Sequence, residues 1–392
     1  MPYQYEALLE EMVFRRATDL YLTLGCAPTF RIADTLVHME EGVLDAAALE
    51  DMITQILSPD QRAEFEGTLE FNTGFALRDV ARFRINVMRQ RLHPAIVIRR
   101  IQTEIPSLSS LNLPNVYADI MLEKRGLVLV VGPTGSGKTT SLAAMVGHRN
   151  RSLPGHIITI EDPIEYVHTH DQCIISQRDV GLDTYSFSIA LKNTLRQRPD
   201  VVVIGEIRDR EVMEQAMYFS ETGHLCLATL HASNASQTID RIINFFPEDR
   251  HHQVLLNLSL NLKAVFSQRL VENLKGGKAI ANEILLNNGL IKQLIENGKV
   301  RELREMIERG ANDGMITFDH SLFALYAKGI ISAEVAIAES ENPGNVRLMM
   351  KQAQHGSSFT IGNEQLSVTG KAAGGIKLRH APAADAPKKS NF

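Results

Sequence analysis

The sequence predicts an α/β fold, a parallel sheet covered by helices, preceded by a small α+β domain. Three observations lead there. Between Gly126 and Leu230 the runs GLVLVV, HIITI, DVVVI and LCLATL are apolar at nearly every position, as strands buried on both faces are. Each is followed at once by glycine or a polar residue: Gly132, Glu161, Gly205 with Glu206, and His231. The first run also leads straight into a glycine-rich loop and the helix-like stretch SLAAMVGHRN. In open parallel sheets ligands gather at the carboxyl ends of strands, so the four runs aim chemistry at one edge.

The glycine-rich loop is the most informative of these pieces. GPTGSGKTT, comprising Gly132, Pro133, Thr134, Gly135, Ser136, Gly137, Lys138, Thr139 and Thr140, fits Gly-x4-Gly-Lys-Ser/Thr between a strand and a helix. The glycines let backbone N–H groups converge on phosphate oxygens, and the helix N-terminus adds partial positive charge. Lys138 would reach the β- and γ-phosphates, and the Thr139 hydroxyl would ligate Mg²⁺. The expected cofactors are ATP and Mg²⁺.

Composition bounds the class. A chain of 392 residues, 44% hydrophobic and 22% charged, is an ordinary globular sequence long enough for two domains. Its formal net charge of −5 gives no support for a nucleic-acid or anionic-membrane partner. Cys26, Cys173 and Cys226 form no CxxC pair, which argues for thiols in a reducing cytoplasm. The N-terminal MPYQYEALLEEMVFRR carries acidic residues in its apolar pattern and reads as an amphipathic helix, not a signal peptide. No apolar run approaches the roughly 18 residues of a membrane span, so membrane contact is expected to be peripheral only.

Along the chain, the helical start is followed by strand-like LYLTLG, TFRIAD, LEFNTGFAL, RFRINVMRQR and AIVIRRI. Phe83, Ile85 and Val87 alternate with Arg82, Arg84 and Asn86, the period of a half-buried strand. These pieces define a domain over 1–102. TEIPSLSSLNLP, with its prolines and serines, predicts a linker over 103–115. The nucleotide-binding domain follows over 116–353, helical after about Phe246. There GLIKQLIENGKVRELREMIERG spaces Leu290, Leu294, Leu303 and Ile307 on one amphipathic face, a packing face inside the domain or else a partner-binding face. Residues 354–392, rich in Gly, Ala, Ser, Pro and Lys, predict a disordered tail.

Phosphoryl transfer to water needs a metal, a carboxylate to position the water and cations for the transferred group. Glu206, after VVVI, is placed to hold Mg²⁺, directly or through water, or to polarise the attacking water. Glu161, first out of its strand in IEDPIEY, is the candidate general base. Asp162 and Glu165 are expected to be structural or in the metal's outer shell. His224 and His231 bracket LCLATL and suggest hydrogen bonding to phosphate. Arg82 and Arg84 share a strand face. They, with Arg100 of the first domain and Arg208 beyond Glu206, are the candidate arginine fingers presented across a subunit or domain interface.

These stretches together resemble the secretion-type ATPases of type IV pilus and type II secretion systems, over about residues 5–350. GPTGSGKTT is similar to the family's Walker A, TIEDPIEYVH to its Asp box, RPDVVVIGEIRD to its Walker B and TGHLCLATLHASNASQTIDRIINFFP to its His box. The short N-terminal region, without a tetracysteine module, resembles the retraction branch, the PilT/PilU family. The resemblance implies a PAS-like first domain, a RecA-like P-loop NTPase core and a homohexameric ring. It places that ring in the cytoplasm, peripheral at the inner membrane, where ATP hydrolysis drives pilus retraction and twitching. It further implies cooperation with a PilT-type ATPase and docking to the inner-membrane pilus platform protein. GLIKQLIE stands at Gly289–Glu296 where the PilT branch has AIRNLIRE, which puts retraction without that ATPase in doubt. Two alternatives remain from the residues alone. One is a RecA-like nucleic-acid motor, disfavoured by the acidic balance and the absence of Trp. The other is an ATP-binding adaptor without motor activity.

Overall fold

The computed structural model describes residues 4–33, 35–40, 42–77, 81–101, 104–354, 358–361, 364–369 and 377–378. The chain divides into two compact units: 1–105 with 160–169 and 177–190, and 106–159 with 170–176 and 191–392. The first division falls between Ile105 and Pro106, inside the proline-bearing segment expected as linker. That two later segments group with the first unit has no counterpart in the sequence pattern.

In the first unit, α1 (Tyr5–Phe14) precedes β1 (Asp19–Leu22), β2 (Thr29–Ile32) and β3 (Thr35–His38), then α2 (Ala46–Ile56) and α3 (Pro59–Thr68). β4 (Glu70–Leu77), β5 (Ala81–Gln90) and β6 (His93–Ile101) complete an antiparallel sheet of order β3-β2-β1-β6-β5-β4. Along β5, Phe83, Ile85 and Val87 are fully buried while their neighbours are half-buried or exposed. The alternation follows from successive side chains pointing to opposite faces. Those three residues pack with Leu9, Met12, Phe30, Leu49 and Ile53 in one core beneath the helices. α3 starts on a reciprocal capping box between Ser58 and Gln61, which satisfies two otherwise orphaned N–H groups.

The chain continues with α4 (Val116–Met121), β7 (Gly126–Val131), α5 (Lys138–Ser152), β8 (Gly155–Glu161) and β9 (Cys173–Asp179), the last residues of β8 and β9 falling in the first unit and the rest in the second. After α6 (Phe187–Thr194) come β10 (Val201–Ile204), α7 (Arg210–Glu221), β11 (Leu225–Leu230), α8 (Ala235–Ile243) and α9 (His251–Asn261). β12 (Leu262–Glu272) and β13 (Lys278–Leu286) form a hairpin, followed by α10 (Gly289–Glu296), α11 (Leu303–Arg309), α12 (Phe318–Ala327), α13 (Ala333–Ala338) and α14 (Pro343–Gln354). The sheet order is β13-β12-β7-β11-β10-β8-β9. β10, β11, β7 and β12 run parallel, and β13 returns antiparallel. All residues of β7, β10 and β11 are buried, as runs covered by helices on both faces must be.

Two expectations change. The region after Phe246 is not uniformly helical, because β12 and β13 extend the sheet beyond β7. Their signal was masked by the buried polar residues Ser267, Gln268, Asn282 and Glu283, which interrupt the apolar runs. In the tail expected to be disordered, β14 (Ser358–Ile361), β15 (Glu364–Thr369) and β16 (Lys377–Leu378) form a small antiparallel sheet. SFTI and EQLSVT carry β-branched residues that the overall composition obscured. The rest of that tail lies outside the described residues. In the α10–α11 stretch Leu294, Leu303 and Ile307 are buried and Leu290 is exposed. Gly298, at φ +66°, ends the first helix.

Candidate active site

The phosphate loop leaves β7 at Val131 and closes on α5. Gly135 and Gly137 have φ of +76° and +87°, which glycine adopts without steric cost. Gly132 answers a different need: a Cβ there would lie 2.3 Å from Ser136 Oγ and 2.5 Å from the Gln268 carbonyl oxygen. Lys138 is buried, and its Nζ donates to the carbonyls of Gly132 and Pro133 at 2.9 Å each. The ammonium is thereby held over the loop. Among the described residues no side chain caps α5 at Gly137, and the start of this helix carries the partial positive charge that favours an anion.

β10 and β11 bring the acid and the imidazole to the same edge. Leu230 pairs in register with Val131, and Ile204 with Ala228. Gly132, Glu206 and His231 therefore all follow the carboxyl ends of adjacent parallel strands. Ile207 N–H donates to the Thr229 carbonyl at 2.9 Å, tying the Glu206 loop to β11. The half-buried Glu206 carboxylate is held from both sides, Oε1 at 2.9 Å from His231 Nε2 and Oε2 accepting from Arg208 Nε at 2.7 Å. Beyond it, Asp209 accepts from Val212 N–H at 2.9 Å and starts α7.

His224 does not join them. It precedes β11, so the whole six-residue strand separates it from the phosphate edge, about 20 Å at 3.3 Å per residue. Its Nδ1 lies 3.1 Å from Thr222 Oγ1 and 3.3 Å from the Phe219 carbonyl, at the end of α7. Flanking a strand puts two residues at opposite edges of the sheet, and this corrects the expectation that both histidines meet phosphate.

The remaining predicted residues sit in the first unit. Glu161 ends β8, and its Oε1 accepts from Gln177 Nε2 at 3.3 Å. Arg82 and Arg84 share a face of β5. Arg84 lies opposite Arg99 and 3.8 Å from Asp162, while Arg82 is exposed. Arg100 pairs with the buried Phe83, so it belongs to the other face of the sheet. It nevertheless lines, with Arg84, Arg99 and Glu165, one cavity of about 220 Å³.

The donor set fits a nucleotide-borne Mg²⁺. Among the described residues no group of three or more His, Cys, Asp or Glu is placed to hold a metal unaided. Mg²⁺ usually takes one or two protein ligands and completes its shell with phosphates and water, and Thr139 and Glu206 suit that role. Ser136 Oγ, buried without a partner among the described residues, is a second hydroxyl in the loop with unused hydrogen-bonding capacity.

Gln268 is a further residue of the site that no motif marks. Fully buried on β12, it sets its carbonyl against Gly132, while Nε2 donates to Ser141 Oγ of α5 at 2.8 Å and Tyr117 OH at 3.1 Å. Tyr117 in turn donates to Asn282 Oδ1 at 2.8 Å. The only signal was a polar residue inside an otherwise apolar run.

Strand, glycine loop, helix and a carboxylate on the neighbouring strands define a P-loop ATPase. More narrowly, the chain belongs to the family described as Type II/IV secretion system protein, which matches residues 6–310. It is 47% identical to the type IV pilus ATPase PilU of Pseudomonas aeruginosa, over 92% of this chain and 96% of that protein. Identity to the type IV pilus retraction ATPase PilT of the same organism is 39%, over 84% and 96% respectively. The crystal structure of the pilus retraction motor PilT with bound ADP superposes with a TM-score of 0.82 at 36% identity, covering 88% of this chain and 100% of that one.

Proposed function

We propose that this chain is an ATP-hydrolysing motor of the type IV pilus machine that drives or assists pilus retraction. The observation that carries the reading is Glu206, gripped by His231 and Arg208 at the sheet edge from which the P-loop springs. A carboxylate merely capping a helix has no need of both. The P-loop from Gly132 to Thr140 binds the triphosphate, and Lys138 moves from its loop carbonyls onto the β- and γ-phosphates. Thr139, and Glu206 directly or through water, would hold the Mg²⁺, which would supply positive charge against the phosphates. Glu206 orients water near the metal and His231 fixes the carboxylate's angle. Glu161 takes the proton from the attacking water. Arg82, Arg84, Arg100 and Arg208 are the candidate donors to the transferred phosphoryl group, Arg208 from beside Glu206 and the others from the first domain of a neighbouring subunit.

The motor acts as a homohexamer beside a PilT-type ATPase, at the pilus platform protein on the cytoplasmic face of the inner membrane. Likeness to PilU and PilT supports these partners. Among the described residues no helix is long and apolar enough to cross a membrane, in keeping with a peripheral position. The test is ATP turnover by purified Glu206→Ala and Glu161→Ala with ADP affinity measured alongside. Both variants are expected to keep nucleotide binding and lose turnover by two or more orders of magnitude (about 10²-fold for a lost general base). Near-normal turnover in either would reject its assignment, and strong stimulation of the wild type by single-stranded DNA would reject the pilus reading.

A further inference from the structure

Glu283 is a carboxylate with no place in the hydrolysis scheme, yet it is only 3% exposed, at the centre of β13. Its Oε1 accepts two hydrogen bonds. One comes from the Ala235 N–H at 2.7 Å and the other from Ser267 Oγ at 3.2 Å. Ser267 stands directly opposite it in the β12–β13 register. Ala235 is the first residue of α8, four residues after His231, and only Ala232, Ser233 and Asn234 intervene. Asn234 caps the same helix by accepting from Gln237 N–H at 2.9 Å. The short segment carrying His231 is thus tethered at one end by β11 and at the other by a buried acid from a distant hairpin. A helix start already capped by Asn234 does not require a second, buried carboxylate, and burying one is costly.

We propose that Glu283 is a positioning residue for ATP hydrolysis, anchoring the first turn of α8 so that the preceding loop holds His231 on Glu206. The inference rests on the roles given above to His231 and Glu206. Burial, helped by the charge of Glu341, pushes the Glu283 carboxyl up to about 7 against the opposing bonds from Ala235 and Ser267 and the charge of Arg269. Arg269 of β12 pairs with Glu341 at 3.0 Å, and Arg304 of α11 bridges Glu341 at 3.0 Å and Asp319 of α12 at 3.3 Å. His320 of α12 is held below its ordinary range by burial. The charged residues of α8, Asp240 and Arg241, are exposed. Ionised, Glu283 accepts its two bonds as a charged group and beside a helix N-terminus. Protonated, it accepts them as a neutral carbonyl, roughly half as strongly. The anchor therefore tightens as pH rises through 7.

The experiment is the pH dependence of kcat for the full-length wild type, Glu283→Gln and Glu283→Ala, with ADP affinity and thermal melting of each. Glutamine keeps the acceptor and cannot ionise. The wild type is expected to gain activity in a step near pH 7, and Glu283→Gln to lose that step and stay several-fold slower above it. ADP affinity should be unchanged in Glu283→Gln. Glu283→Ala should fall further, roughly tenfold at pH 8, as expected when a reacting constellation is loosened. A Glu283→Gln profile that superposes on the wild type overturns the proposal. So does a parallel loss of kcat and ADP affinity with no change in profile, the mark of a purely structural group. If Glu206→Ala were active, the underlying hydrolysis scheme would fail instead, and the two failures are read from different variants.

Discussion

At the scale of single residues, space and charge decide more than residue type. Three glycines of the phosphate loop look equivalent in the sequence, but they are required for different reasons. Gly132→Ala would drive its methyl into Ser136 and into the backbone of β12 at Gln268, and a strand carbonyl in mid-sheet cannot step aside. We expect destabilisation of about 1–3 kcal/mol and a marked loss of ADP affinity, read by thermal melting and nucleotide titration. Gly135→Ala meets no atom within 4 Å and pays only for its left-handed backbone, about 1–2 kcal/mol. The two histidines of LCLATLH and its flank teach the same lesson. His231 reaches Glu206, whereas His224, identical in type and as close to the strand, holds the end of α7.

At the scale of elements, the apolar runs and the motifs attached to them were legible because a strand buried on both faces leaves little freedom of composition. β7, β10 and β11 appear where unbroken hydrophobic runs stood, and the P-loop, Glu206 and His231 follow from their shared direction. β12 and β13 were illegible because their buried polar residues are satisfied by partners far away in sequence. Gln268 reaches Ser141, Asn282 reaches Tyr117 and Glu283 reaches Ala235. Local pattern reads such residues as solvent-facing. One element-level consequence is testable at α7, whose start is fixed by Asp209 beside the Glu206 loop. Asp209→Ala should cost about 1 kcal/mol, seen as a lower melting temperature. Turnover should fall with it, because Arg208 and Glu206 lie on the loop that this cap terminates.

At the scale of the whole molecule, Glu283 makes global stability and turnover respond to pH in opposite directions. In the unfolded chain the carboxyl ionises near 4.5, and in the folded protein near 7. Between those values the folded state keeps a proton that the unfolded state has lost. Stability is therefore fully present below 4.5, declines as pH rises through 7, and loses on the order of 3 kcal/mol in all. Glu283→Gln should remove this slope, so that the variant melts higher relative to wild type at pH 8 than at pH 5. An unchanged difference across that range would assign the pH response to other groups. A motor that gives up stability for a charged anchor beside its hydrolysis site is in keeping with the general tension between activity and stability.

Nucleotide chemistry, the parallel sheet and the family are written in contiguous residues whose spacing the backbone geometry translates directly. GPTGSGKTT can do little else between a buried strand and a helix. Which neighbours those residues meet is set by the folded chain. It separated His224 from His231, joined Arg208 to Glu206, and carried a distant hairpin into the sheet so that Gln268 and Glu283 stand behind the phosphate loop and the His231 loop. The physical reason is that burial and long-range hydrogen bonding depend on chain crossings that no local pattern encodes.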